Sequence, residues 1–222
     1  MKVDFGKIRV FSNEYFYVLE YQIKLQIDAL KELVKDDESS VKQIKENFNR
    51  FIKDAKFKDV EVQHKDTFEE HLIDRELITQ RLIKQKRYST CLMIFSIFES
   101  LIKEVCIEIG QNHQSKIQHH DLKGNDDLSR YKKYLTNVIG LDFRKIESSF
   151  TKIKQQKIIR NYIAHNNGII ENPNKIQIIQ GIAINNKQII INDKSFFDFL
   201  LEAIEDFFEK LLIEMDIKIK FR

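Results

Sequence analysis

Arg160, Asn161 and His165 fall within one hexapeptide, Arg-Asn-Tyr-Ile-Ala-His. A guanidinium is permanently charged and presents a planar fork of donors that fits a phosphate. An imidazole can move a proton near neutral pH. A carboxamide beside them can orient either one. This set suits metal-free cleavage of RNA, in which the 2′-OH attacks the adjacent phosphorus. That reaction needs a base, an acid and stabilisation of charge on the phosphoryl oxygens. His165 suits the proton transfers, Arg160 the phosphate, and Asn161 the orientation of both. One copy supplies one motif histidine, whereas a symmetric pair of copies supplies two histidines and two arginines across one groove. The same residues also fit a plainer role: a surface arginine and a histidine that satisfies carbonyls at a helix C-terminus.

Placed on a helix at about 100° per residue, Arg160, Ala164, Asn161 and His165 span an arc of about 140°. Ile159 and Ile163 lie on the opposite side and supply the apolar anchor. The motif therefore faces solvent or a partner. Ala164, small and central in the arc, permits close approach of another helix. The chain leading in is basic: Arg144, Lys145, Lys152, Lys154, Lys157 and Arg160 stand against Glu147 alone, a net of +5 in a chain whose total is +3. Such a concentration suits phosphate contact. A solvated, lysine-rich helix face reads the same way.

The elements that position the motif follow from hydrophobic period. A helical stripe runs over 12–35 with Ser12 as N-cap, and a polar break is expected at 36–40. A second, more polar helix follows over 40–55, and 57–66 is ambiguous. A long helix is expected over 67–109, bent near 87–90. The stretch 113–127 reads as a loop, and a short helix capped by Asp127 or Asn125 reaches about Val138. After Gly140 another helix begins near Leu141 or Asp142 and ends at Asn166-Asn167-Gly168, a C-terminal stop. Ile-rich runs at 175–180 and 187–191, with Asn185-Asn186 as the turn signal, predict a β-hairpin. A last helix starts at Asp193 or Ser195, with a wide apolar face from Phe196 to Leu212. The fold class expected is mainly α: an antiparallel helical bundle with a small inserted β-hairpin near 175–191.

Composition bounds these readings. The chain has 222 residues, 32% charged and 42% hydrophobic, with one proline and six glycines. That favours a soluble helical domain over a disordered or turn-rich one. One domain over 1–222 is expected. No apolar run approaches the roughly 20 residues that cross a bilayer, and Met1 to Gly6 lacks the apolar core of a secretion signal; no membrane association and a cytoplasmic location are expected. Cys91 and Cys106 lie on one helix about 22 Å apart, too far to bridge, and read as packing residues. His119-His120-Asp121 lacks well-spaced further ligands, so no metal and no cofactor are expected. Phosphate-binding glycine loops, nucleophile elbows and HExxH motifs are absent.

The motif and its setting resemble the HEPN superfamily, whose nucleases carry an Arg-polar-x3-His pattern met here by Arg160, Asn161 and His165. The surrounding Ile-Arg-Asn-Tyr-Ile-Ala-His-Asn-Asn-Gly is similar to bacterial members, and the order of helices before and after the motif agrees. The resemblance covers about 67–216, and leaves about 1–60 and the hairpin as elaborations. It implies a metal-independent endoribonuclease, active as a homodimer with the motif at the interface. It further implies a toxin or antiphage-defence role, RNA as substrate, and an antitoxin or defence-system partner protein. Glu99 and Tyr162 are then supporting polar contacts; from its position alone, Glu99 is a partly buried helix carboxylate. The alternatives are a catalytically idle HEPN-like module that binds RNA, nucleotide or protein, and a helical interaction domain unrelated to nucleic acid.

Overall fold

The computed structural model describes residues 11–12, 14–54, 65–124, 126–172 and 179–218. Among these residues five α-helices and one two-stranded antiparallel hairpin make a mainly α, bundle-type fold: α1 Glu14–Asp54, α2 Lys65–Asn112, α3 Asp127–Lys133, α4 Glu147–Asn166, β1 Ile182–Asn185, β2 Gln188–Ile191 and α5 Ser195–Lys218. Of the described residues, 11–29, 96–156 and 200–218 form one compact unit, and 30–54, 65–95, 157–172 and 179–199 form a second. Each of α1, α2, α4 and α5 contributes a stretch to both.

In the first unit the core is aromatic. Phe98 of α2 meets Phe207 and Phe208 of α5 edge-on, at 5.6 and 5.8 Å between ring centres. Phe150 of α4 packs on Phe143 and Phe207. Burying such rings is the largest single apolar contribution available to a helical core. Asp126, rather than Asp127 or Asn125, caps α3, its carboxylate accepting from Ser129 N at 2.9 Å. A π-helical turn, Tyr134–Val138, continues α3 towards Gly140. Asp142 then caps a 3-10 turn, Phe143–Lys145, that leads into α4.

In the second unit the expected break at 36–40 is absent, and α1 runs through it. The acidic residues there face α2 instead of ending the helix. Asp37 holds Lys86 at 2.7 Å and accepts from Thr90 Oγ1. Glu38 takes both Nε and Nη2 of Arg87, each at 2.9 Å. Helix α2 likewise continues through 87–90, where Arg87 and Tyr88 are buried. Arg87 also donates to the carbonyls of Ile191, at 2.7 Å, and Asn192. It thereby ties the end of β2 to two helices.

The hairpin has its turn at Asn186-Lys187, one residue later than expected. Both residues take positive φ, 47° and 64°, as a two-residue turn between twisted strands requires. Asn185 pairs with Gln188 and Ile182 with Ile191. The first strand is therefore 182–185, later than the expected run over 175–180: of that run 179–180 are not strand, and 175–178 lie outside the described residues, as do 55–64. Asp193 accepts from Ser195 N at 2.8 Å and starts α5. Among the described residues no helix is long and apolar enough to cross a membrane.

Candidate active site

The motif occupies the last two turns of α4, in the second unit. Ile159 and Ile163 are buried, while Asn161, Ala164 and His165 are exposed and Arg160 is half-buried. The outward arc expected from the helical period is thus present. Arg160 Nη1 donates to Asn161 Oδ1 at 3.1 Å. The carboxamide is neutral, so the hydrogen bond orients the guanidinium without cancelling its charge. Arg160 lies near enough to Cys91 of α2 that its charge favours the Cys91 thiolate. Burial outweighs that pull and drives the thiol up to about 12. Cys91 and Cys106 are both free and buried.

The helix stops where the motif ends. Asn167 and Gly168 take φ of 50° and 77°, Gly168 N donates to Tyr162 O at 2.8 Å, and Ile169 N donates to Asn166 O at 2.9 Å. These bonds satisfy carbonyls that a helix end leaves open. The chain then joins the hairpin: Ile189 N donates to Gly168 O and Ile170 N to Lys187 O, both at 2.8 Å.

A clamp that hydrophobic period does not reveal holds this end. Gln188 Nε2 donates to Asn167 O and to Tyr88 Oη, both at 2.9 Å, and Tyr88 Oη donates to Ile189 O at 2.6 Å. Burial raises the Tyr88 phenol above its ordinary value, with the Gln188 hydrogen bond opposing. Gly168 sits so close to Tyr88 that an added Cβ would lie 2.1 Å from its hydroxyl. The signal available in the sequence was slight: one glutamine at the edge of an isoleucine run.

The other candidate residues are placed as follows. Tyr162 is half-buried and gives its carbonyl to Gly168. Lys157 is buried, 8% exposed, and offers little surface to a polyanion. Arg144, Lys145, Lys152, Lys154 and Glu99 belong to the first unit. Arg144 pairs with Asp142 at 2.5 Å, and that hydrogen bond holds the Asp142 carboxyl down at about 2. Lys145 pairs with Glu214 at 2.8 Å, and Lys154 approaches Asp126 at 3.8 Å. The positive surplus counted along the chain is thus partly met by acids, Asp142 just before the stretch and Glu214 and Asp126 from other segments. Lys152 is exposed. Glu99 is half-buried beside Tyr131, whose phenol is raised chiefly by burial and further by Cys106 and Glu99.

His119 is buried against the rings of Tyr131 and Tyr134, and burial lowers its pKa. His120 and Asp121 approach to 3.6 Å. Among the described residues no group of three or more His, Cys, Asp or Glu side chains is arranged to hold a metal ion. No family model, curated protein or solved structure matches the chain.

Proposed function

We propose that the protein is an endoribonuclease of the HEPN type that cuts RNA by 2′-OH attack without a metal, at a site composed by two copies of the chain. The observation that carries this reading is the Arg160–Asn161 hydrogen bond beside an exposed His165 on one face of α4. A base takes the 2′ proton, the 2′ oxygen bonds to phosphorus, and the bond from phosphorus to the 5′ oxygen breaks as an acid protonates the leaving oxygen. Cyclic 2′,3′-phosphate and 5′-hydroxyl ends result. His165 exchanges the proton, and Arg160 neutralises charge on the phosphoryl oxygens. The histidine of a second copy completes the acid–base pair. In the first unit, exposed Lys152 and the largely exposed side chains of Arg144, Lys145 and Lys154 are RNA contacts in their own right. A cytoplasmic toxin or antiphage-defence role, with an antitoxin or defence partner, belongs to the same reading.

The test compares wild type with His165→Ala on single-stranded RNA in excess chelator, scoring cyclic phosphate ends. His165→Ala should reduce cleavage by about 10²-fold or more. Because His165 is exposed, its removal leaves the fold intact, which a thermal melt checks. Equal cleavage by the two proteins sinks the enzyme reading.

A further inference from the structure

Beside the clamp that holds the end of α4, the second unit contains a cavity of about 410 Å³. Small-molecule sites occupy roughly 300–1,000 Å³, so it can hold one nucleotide. Its walls combine three kinds of group. Ile83 and Ile190 give an apolar surface, with Tyr88 below. Lys45 and Lys84 supply two ammonium groups, and no described carboxylate pairs with either; Lys84 Nζ instead lies 5.6 Å from the centre of the Tyr88 ring. Gln188 supplies an amide whose nitrogen already spans Tyr88 and Asn167.

Arg87 also lines the cavity, but its charge is paired with Glu38 and its Nη1 donates to two carbonyls. The uncompensated charge is therefore that of the two lysines, and no acid lines the cavity. One cavity of the first unit, of about 400 Å³, has the opposite character: Glu20, Glu202, Glu205, Asp206 and Glu209 line it against Lys24 alone, a mostly acidic surface unsuited to phosphate.

An apolar wall with ammonium groups at its edge fits a base and its phosphate. Proteins that take single-stranded nucleic acid use the same pair of features, a face for the base and cations along the backbone. The cavity is tied to the motif through Gln188, which walls it and also binds the carbonyl of Asn167, two residues beyond His165. We propose that this cavity is a subsite for one nucleotide of single-stranded RNA next to the scissile phosphate. Lys45 and Lys84 hold its phosphate and Ile83 and Ile190 cover its base. The inference rests on the ribonuclease reading for the word scissile; binding at the cavity stands apart from it.

The experiment uses the full chain and a labelled single-stranded RNA with 2′-O-methyl groups, which cannot be cut by 2′-OH attack. Anisotropy gives affinity as a function of salt. Lys45→Glu and Lys84→Glu should each weaken binding roughly tenfold, and each should lower the log–log salt slope by about 0.7. Lys→Gln versions of both serve if charge reversal disturbs the fold. Lys35→Glu, a reversal at an exposed α1 lysine outside the cavity lining, should cost no more than about twofold. If the cavity variants lose no more than Lys35→Glu, the subsite is overturned. Unmodified RNA separates the two ideas. Cleavage by wild type with unchanged affinity in the cavity variants removes the subsite and keeps the nuclease. Selective loss of affinity with no cleavage by wild type keeps the subsite and removes the nuclease.

Discussion

The chemistry of the candidate site depends on which charges stay uncompensated. Asn161 binds Arg160 through a neutral oxygen, a contact that orients the guanidinium without cancelling its charge. Arg144 and Lys145 are paired with carboxylates, yet both side chains stay largely exposed, so the pairing tempers their charge without removing it. Cys91 shows the opposite extreme, a titratable group made inert by burial. Its folded pKa, about 12, stands above its ordinary 9.0. Between those values the folded chain keeps a proton that the unfolded chain releases. Stability from this group is therefore complete below about pH 9 and falls as pH rises towards 12. Tyr88, Tyr131 and Tyr134 are raised by burial and act in the same direction. Urea unfolding at pH 7.5 and pH 10.5 should show a loss of stability that is smaller in Cys91→Ala than in wild type. Cys91 and Cys106 should also resist iodoacetamide until urea is added. Ready labelling of the native protein at pH 8 would contradict the burial assigned to them.

At the scale of elements, what keeps the motif in place is the junction of α4 with the hairpin. Gly168 has both a left-handed φ of 77° and no room for a side chain, since Tyr88 and Gln188 crowd the Cβ position. Gly168→Ala should destabilise the protein by roughly 2–4 kcal/mol, strain and overpacking combined. Urea unfolding measures that loss. An unchanged midpoint would mean that the clamp yields easily and does not fix His165. The stop at Asn166-Asn167-Gly168 was legible in the sequence because its cause is local: two small polar residues and a glycine after an apolar stripe. The same holds for the buried stripe of α2 and the wide face of α5. The helical run through 36–40 was not legible. Asp37 and Glu38 looked like a break because their partners, Lys86, Arg87 and Thr90, come from another segment. The turn at Asn186-Lys187 was misplaced by one residue because Lys187, a poor turn signal, accepts a positive φ there. The Tyr88–Gln188 clamp and the lysine-edged cavity are products of tertiary pairing, which period and propensity do not encode.

At the scale of the molecule, the proposed reaction turns on how many histidines one site receives. In the described part of the second unit, His71 on α2 and His165 on α4 are the only histidines, and only His165 stands on the same helix as Arg160, five residues on. Cleavage by 2′-OH attack asks for both a base and an acid, so a second copy is the economical source of the other. In the proposed composite site that copy would meet the chain at Ala164, which is exposed, small, and set between Arg160, Asn161 and His165 on one helical face. Replacing it by arginine keeps a good helix former on an exposed position, so the unfolding midpoint should hold. The added bulk and charge would, however, separate two helices that meet there. Light scattering should give wild type twice the chain mass of 26.6 kDa and Ala164→Arg a single chain, with cleavage falling in step. If wild type is a strict monomer and still cuts RNA, the composite site is wrong, and acid and base must both be found within one chain. If Ala164→Arg remains a dimer with full activity, the copies meet on a different face, and the small residue at the centre of the arc has no part in assembly.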